Sequence, residues 1–118
     1  MAITDSDPRA VVQEQVDAYN AHDLERFLAC YALNAVILDA SDTAIYNGHD
    51  EIRDGYGPML EENPALHAEI PNRIHVGEWV VDEELVTGIT AGGFPPDMRA
   101  ITVYHVADGK IQRVQILM

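Results

Sequence analysis

The apolar residues of the N-terminal quarter recur at the three- and four-residue spacing of a helix. Val12, Val16 and Tyr19 share one face of this helix, which therefore needs a partner surface. Asp7 can cap its start, and Pro8 suits its first turn, where a missing N–H costs nothing. The pattern predicts an amphipathic helix that begins after Asp7.

A second apolar stripe follows a break at residues 20–22, and Asp23 can cap a helix there. The stripe comprises Leu24, Phe27, Leu28 and Tyr31. The apolar run 36–40 then predicts a strand, in which Asp39 stands where an apolar residue would extend the run. A carboxylate in that position is either a turn cap or a reactive group.

The middle of the chain predicts a hairpin and a third helix. The chain turns at residues 41–43 and returns through 44–47. One face of the helix that follows carries Ile52, Tyr56, Met59 and Leu60. Pro58 is a poor interior residue, so we expect a kink or a restart of the helix there. Asn63 and Pro64 end the helical region.

The second half of the chain predicts a sheet of four long strands. They span residues 66–76, 79–90, 98–106 and 110–118, with a loop through 92–96. Successive strands of this length imply an antiparallel meander. Pro71 indicates an edge position or a bulge in the first strand.

The last hairpin has the strongest turn signal of the chain. We favour a three-residue loop at 107–109 with Gly109 in the left-handed conformation. That register places five side chains on one face: Ala100, Thr102, Tyr104, Val114 and Ile116. A two-residue loop at Asp108 and Gly109 would change which side chains share that face.

Helices that precede a curved antiparallel sheet indicate the α+β class. In this class the sheet can wrap around the helices and leave an apolar cavity between them. With 118 residues, the chain is expected to form a single domain over residues 1–118.

The charge and the hydropathy of the chain exclude several classes of partner. Asp and Glu number 20 against 7 Lys and Arg, which gives a formal net charge of −13. This charge repels phosphate backbones and anionic lipids, so nucleic-acid and membrane partners are disfavoured. No apolar run approaches the roughly 20 residues that a membrane span needs. The N-terminal residues lack the basic and apolar regions of a signal peptide, so a cytoplasmic location is expected.

The motifs of several catalytic classes are absent from the sequence. It contains no phosphate loop, no dinucleotide-binding glycine pattern and no nucleophile elbow. The five histidines form neither a helical pair four residues apart nor a compact chelate. Cys30, the only cysteine, is expected to pack in the core. We therefore expect neither a cofactor nor a metal.

Four segments of the chain carry a resemblance to a known family: residues 10–13, 19–24, 48–56 and 104–111. In order and spacing they resemble the nuclear transport factor 2-like (NTF2-like) superfamily, and within it the SnoaL-like and ketosteroid isomerase-like branch. The resemblance covers about residues 10–118. It implies a cone, in which a curved mixed or antiparallel sheet wraps around three helices of the N-terminal half and encloses a pocket. Because this fold carries several enzyme classes and non-catalytic domains, it implies less about function.

The resemblance also implies a set of site residues. Asp39 matches the general-base aspartate of ketosteroid isomerases, and Tyr56 matches the tyrosine that supports their oxyanion hole. Gln15 and Thr102 stand where that branch has a tyrosine and a protonated aspartic acid. Both can donate a hydrogen bond, but they are weaker acids and would stabilise a dienolate less well. The expected substrate-binding residues are Gln15, Tyr19, Met59, Leu60, Thr102, Tyr104, Val114 and Ile116.

The leading hypothesis is a small-molecule enzyme of the isomerase or cyclase type, in which Asp39 moves a proton of an apolar substrate. The alternatives are a non-catalytic domain that binds a small ligand and a dimeric adaptor. Glu84 is either a solvated strand charge or an inward-facing group, depending on the phase of its strand.

A homodimer is expected through the outer face of the sheet, which is too apolar to leave wholly in water. That face is predicted to carry Ile101, Val103, Ile111 and Leu117 among Arg99, His105 and Arg113. The family resemblance also implies a dimer.

Overall fold

The computed structural model describes residues 7–90 and 97–118, which fold as three helices and six strands. The helices are α1 (Pro8–Asn20), α2 (Leu24–Leu28) and α3 (His49–Glu62). The strands are β1 (Tyr31–Leu38), β2 (Ala44–Asn47), β3 (His67–Val76), β4 (Trp79–Thr87), β5 (Met98–Ala107) and β6 (Lys110–Leu117). The loop expected at residues 92–96 lies outside the described residues. No helix in the two described ranges is long and apolar enough to cross a bilayer.

Both predicted helix caps are confirmed. The Asp7 carboxylate accepts the backbone N–H of Arg9 at 2.9 Å, and Pro8 is the first residue of α1. The Asp23 carboxylate accepts the backbone N–H of Arg26 at 3.1 Å at the start of α2. These bonds satisfy N–H groups that have no partner inside a helix.

The second helix is shorter than predicted, because Tyr31 belongs to β1. The Cys30 carbonyl accepts the N–H of Ile111 at 2.8 Å, so the chain joins the sheet directly after α2. The Tyr31 ring still packs on Phe27, with ring centroids 5.1 Å apart. The helical spacing of Tyr31 therefore reflects a shared core and not a shared helix.

The third helix is continuous through Pro58, so the restart that this residue suggested does not occur. Pro58 has no N–H, so the carbonyl of Asp54 lacks its helical hydrogen bond. Both residues are exposed, and a water molecule can donate a hydrogen bond to this carbonyl instead. The Tyr46 ring lies so close to Gly55 that a Cβ at this position would collide with the ring. The ring from β2 therefore packs directly on the backbone of α3.

The strands form one mixed sheet in the order β2-β1-β6-β5-β4-β3. β1 runs parallel to β6, and the other neighbouring pairs are antiparallel, which confirms the predicted meander of β3 to β6. The sheet curves around the helices. The core between them includes Val12, Phe27, Ile37, Ile52, Val80 and Tyr104.

The loop of the β5–β6 hairpin differs from the prediction. Ala107 pairs with Lys110, so the loop contains two residues and the preferred three-residue loop is wrong. Asp108 and Gly109 have φ angles of 55° and 71°. Two successive positive φ angles match the twist of the flanking strands, and Asp-Gly adopts them at low cost.

A bulge in β6 nevertheless keeps the predicted inner face. A shift of the register leaves Gln112 without a partner on β5. The extra residue restores the predicted alternation of inward and outward side chains beyond the bulge. Tyr104 and Val114 therefore lie on the inner face, as predicted, where they pair with each other. The same shift turns Ile111 into the core, where it is fully buried, so its predicted place on the outer face is wrong.

Pro71 lies at a bulge in the edge strand β3, as the sequence predicted. The register between β3 and β4 shifts at this point, so Ile70 and Pro71 oppose the single residue Glu84. After the bulge, Arg73 pairs with Asp82.

Candidate active site in the cavity between helices and sheet

A cavity of about 230 Å³ lies between the helices and the inner face of the sheet. Its wall is mostly aromatic and aliphatic, with a few polar side chains. Pockets for drug-sized molecules span roughly 300–1,000 Å³, so this cavity suits a smaller ligand.

Eight of the ten predicted site residues line the cavity: Gln15, Tyr19, Tyr56, Met59, Thr102, Tyr104, Val114 and Ile116. Leu60 is not among the lining residues, and its substrate-binding role stays a prediction. It follows Met59 on α3 and is rotated by about 100° around the helix axis, which buries it in the core.

Asp39 lies in the turn between β1 and β2 and is not part of the cavity lining. Its Oδ1 accepts the backbone N–H of Ser41 at 2.8 Å and of Thr43 at 3.0 Å. This is the turn-cap geometry that the sequence left open as the alternative. The general-base role implied for Asp39 by the resemblance stays a prediction.

Glu84 is a carboxylate in the cavity wall. On β4 the inward positions are even-numbered, because Val80, Asp82 and Val86 are buried. Glu84 follows the same phase and lines the cavity. Within residues 7–90 and 97–118 it has no ion pair and no side-chain hydrogen bond.

Burial raises the pKa of Glu84 to about 7, and the negative charge of Asp82 adds to the rise. A carboxyl group with this pKa is present in both protonation states at neutral pH. Such a group can accept a proton and return it, as a general base or acid must.

The hydroxyl groups around Glu84 belong to four tyrosines: Tyr19, Tyr31, Tyr56 and Tyr104. Burial raises the pKa of each, and the charge of Glu84 adds to the rise. They therefore keep their protons at neutral pH and act as hydrogen-bond donors, not as bases. The Tyr56 ring also packs on Phe27, with centroids 4.8 Å apart, which stiffens this wall.

Gln15 fixes the direction of the hydrogen bonds at one end of the cavity. Its Oε1 accepts the hydroxyl of Tyr31 at 3.2 Å. Its Nε2 donates to the carbonyl of Val12 at 3.2 Å and to the hydroxyl of Tyr104 at 3.3 Å. Since a carbonyl can only accept, the amide orientation is set and the Tyr104 oxygen is an acceptor. The Tyr104 O–H is therefore left to donate to another group.

Thr102 brings a second hydroxyl group to the same wall. It is 3 % exposed, and its Oγ1 has no hydrogen-bond partner among the described residues. It lies close enough to the Tyr104 hydroxyl to lower the pKa of Tyr104 against the effect of burial, but the distance and angles between the two groups fall short of a full hydrogen bond. A buried hydroxyl without a partner costs about 1–3 kcal/mol, so this arrangement favours a ligand or a water that completes it.

Three groups that shape the cavity were not among the predicted site residues: Tyr31, Tyr46 and Glu84. The orientation of Glu84 was open in the sequence, because apolar residues occupy both phases of this strand: Val80 and Val86 in one, and Trp79, Val81 and Leu85 in the other. Tyr31 was assigned to a helix, and no pattern in the sequence pointed Tyr46 toward α3. In the part of the chain that the structure describes, no group of three or more potential metal ligands occurs.

A family model described as a SnoaL-like domain matches residues 12–114 of the chain. The chain belongs to the SnoaL-like domain family. The resemblance noted in the sequence is thereby confirmed, together with the NTF2-like cone of a curved mixed sheet around three helices. No curated protein matches this SnoaL-like chain.

Several solved structures share the fold of this SnoaL-like domain. An uncharacterized cystatin-fold protein from Novosphingobium aromaticivorans is 24% identical, with a TM-score of 0.85 over 94% of this chain and 97% of that chain. A putative SnoaL-like polyketide cyclase from Jannaschia sp. CCS1 is 19% identical, with a TM-score of 0.76 over 92% and 83%. A putative polyketide cyclase from Sinorhizobium meliloti is 20% identical, with a TM-score of 0.72 over 91% and 93%. At these identities the likeness establishes the fold alone.

Proposed function

We propose that this SnoaL-like protein is a small-molecule enzyme in which Glu84 transfers a proton inside the cavity. The observation that carries the proposal is a carboxyl group with a pKa of about 7 in the wall of an apolar cavity. The reaction class is proton abstraction next to a carbonyl group, as in isomerases and cyclases. Glu84 takes this role in preference to Asp39, because the Asp39 carboxylate caps a turn.

Two hydroxyl groups supply the hydrogen bonds that such a reaction needs. Removal of a carbon-bound proton moves negative charge to the carbonyl oxygen of the substrate. Thr102 and Tyr104 are two residues apart on β5, so both point to the inner face that Glu84 shares from β4. Their O–H groups can donate to the charged oxygen, and Gln15 orients the Tyr104 hydroxyl for this purpose.

The proton balance of the proposed reaction closes on the substrate. The Glu84 carboxylate takes the proton from the carbon next to the carbonyl, and the electron pair of that bond forms the enolate. The Glu84 carboxylic acid then returns the proton. It goes to another carbon when a double bond migrates, or to the oxygen of a second carbonyl that the enolate has attacked when a ring closes. Neither route needs an oxidant or a reductant.

The comparisons and the cavity volume support this reaction class for a small substrate. Two structural neighbours are described as putative polyketide cyclases. The cavity of about 230 Å³ favours a molecule smaller than the drug-sized range. The substrate is therefore a compact apolar molecule with a carbonyl oxygen.

Turnover and ligand affinity of the wild type and Glu84→Gln, measured side by side on small enones and hydroxy ketones, test the proposal. Gln keeps the shape of the side chain but cannot take the proton, so turnover should fall at least about a hundredfold with little change in affinity. Glu83→Gln is the matched control, because Glu83 lies on the outer face of β4 and pairs with Arg99. Equal turnover in wild type and Glu84→Gln would contradict the general-base role. Binding without turnover in both proteins would support the non-catalytic alternative.

We also propose a homodimer through the outer face of the sheet. Ile74, Trp79 and Ile101 are 63%, 43% and 47% exposed there. Apolar side chains exposed together in this way are typical of a protein–protein contact. Light scattering at high micromolar concentration should give twice the chain mass, and Ile101→Lys should lower the dimer fraction. A wild-type monomer at that concentration would remove this proposal.

A further inference from the structure

A buried ion pair lies beside Glu84 on the inner face of the sheet. Asp82 is fully buried and accepts two hydrogen bonds from Arg73, from Nε at 2.6 Å and from Nη2 at 2.9 Å. Arg73 Nη1 donates a third bond to Gln13 Oε1 on α1, at 2.9 Å. These bonds hold the pair in one place between the sheet and the first helix.

The bulge in β3 is the reason that this pair faces inward. Without the extra residue, the pairing of β3 with β4 would continue in step and place Asn72 opposite Asp82. The side chain of Arg73 would then point to the outer face of the sheet. The bulge that opposes Glu84 is therefore the feature that brings Arg73 to Asp82.

Asp82 acts on Glu84 because the two residues are two apart on β4. Side chains in this relation point to one face, and their α-carbons are roughly 7 Å apart along the strand. The charge of Asp82 raises the pKa of Glu84 in addition to burial. The other elements around Glu84 present phenols to it: Tyr19 from α1, Tyr31 from β1, Tyr56 from α3 and Tyr104 from β5. Among the described residues, Asp82 is thus the charged group that acts on Glu84, and Arg73 is the cation paired with Asp82.

We propose that Arg73 and Asp82 are positioning residues that set the proton affinity of Glu84. The Asp82 carboxylate favours the protonated form of Glu84, and Arg73 limits this effect by holding the opposite charge against Asp82. The pair keeps Glu84 able to change its protonation state near neutral pH. This inference rests on the function proposed for Glu84, but it concerns the protein without substrate and can be tested apart from turnover.

The test is a titration of the Glu84 side-chain carboxyl by carbon-13 NMR in the full chain, with Glu84→Gln to identify the signal. Asp82→Asn removes the negative charge and leaves Arg73, so the pKa of Glu84 should fall by about one unit or more. Arg73→Gln leaves Asp82 and Glu84 without a cation, so this coupled pair should take up its first proton at a pH about one unit higher than Glu84 does in the wild type. A structural disturbance alone would not move the two values in opposite directions.

Two further variants complete the design. Glu83→Gln removes a carboxylate that is adjacent to Glu84 in sequence but lies on the outer face, and it should leave the titration unchanged. If either single variant does not fold, Arg73→Met combined with Asp82→Leu replaces the pair by apolar side chains. Buried ion pairs often tolerate this exchange, and the double variant should lower the pKa of Glu84.

The outcomes separate this proposal from the proposed function. An identical Glu84 titration in all variants would overturn the role of the ion pair, even if Glu84→Gln abolishes turnover. Opposite shifts in Asp82→Asn and Arg73→Gln, together with unchanged turnover in Glu84→Gln, would support the role of the pair and refute the catalytic role of Glu84.

Discussion

Two carboxylates of this chain lie in opposite surroundings. In the β1–β2 turn, Asp39 accepts two backbone N–H groups, and its own N–H donates to the Thr43 carbonyl at 2.9 Å. In the cavity wall, Glu84 has no hydrogen bond or ion pair with the described residues, and the Thr102 hydroxyl likewise has no partner among them. The polar groups of the turn satisfy one another, whereas Glu84 and the Thr102 hydroxyl in the cavity have no partner among residues 7–90 and 97–118.

The difference indicates which carboxylate is available for chemistry. A satisfied carboxylate contributes to the fold and would have to give up its hydrogen bonds to react. A carboxylate in an apolar wall destabilises the folded state, and such a group is retained where it serves a function. The groups without partners among the described residues therefore support the proposed role of Glu84, while the role of Asp39 stays a prediction.

The largest expected difference between the two carboxylates is in how each makes the free energy of unfolding depend on pH. The pKa of Glu84 is raised from 4.5 to about 7 in the folded protein. Between these values the folded state binds more protons than the unfolded state, so the free energy of unfolding falls as the pH rises from 4.5 to 7. Glu84→Gln removes this loss and should raise the free energy of unfolding at pH 8 by up to about 3 kcal/mol, with little change at pH 4.

Denaturant unfolding at pH 4 and pH 8 measures this effect. Asp39→Asn is the control and should keep the wild-type fall in stability across the same range. Parallel curves for wild type and Glu84→Gln would show that Glu84 is solvated, and the contrast between the two carboxylates would disappear.

A smaller effect is expected for the second unpartnered group of the cavity. Thr102→Val keeps the shape of the side chain and removes its hydroxyl, so the free energy of unfolding should stay constant or rise by about 1 kcal/mol. Turnover should fall at least about tenfold, because one hydrogen bond to the substrate oxygen is lost. Thr43→Val in the turn is the matched control and should leave turnover unchanged. A stability loss in Thr102→Val without any loss of turnover would assign that hydroxyl to the fold.

The smallest effects are expected at Asp39 itself. Asn caps a turn nearly as well as Asp, so Asp39→Asn should be almost silent in both stability and turnover. Asp39→Ala removes both bonds to backbone N–H groups and should lower the free energy of unfolding by about 1 kcal/mol, with turnover unchanged. These values come from thermal melts and the turnover assay. A hundredfold loss of turnover in Asp39→Asn with binding retained would restore the general-base role that the resemblance implies.

Local chemistry made most of the fold predictable from the sequence. The caps at Asp7 and Asp23 and the bulge at Pro71 follow from what each side chain does to its own backbone, so they needed no knowledge of distant partners. The β5–β6 loop failed because Asp108 and Gly109 fit two loop lengths equally well. The bulge that compensates at Gln112 is set by the packing of β6 in the whole sheet.

The site was less predictable than the fold, because its geometry also depends on the pairing of strands across the sheet. The sequence favours a solvated position for Glu84, because it does not show that the even-numbered side chains of β4 point inward. Asp82, two residues away, is also acidic and strengthens this interpretation. The burial of Asp82 is explained by its hydrogen bonds to Arg73 on another strand. The orientation of Glu84 and the burial of Asp82 both depend on how β3 and β4 pair. This pairing is not visible in any local pattern of a single sequence.

Gln112 gives β6 one residue more than its pairing with β5 requires. Its deletion would join Ile111 directly to Arg113 and leave the pairs on both sides intact, so Val114 would still face the cavity. A bulge also bends its strand and increases the local twist. Chains of this family that differ in length by one residue at this point would therefore keep the same lining chemistry and differ in the width of the cone.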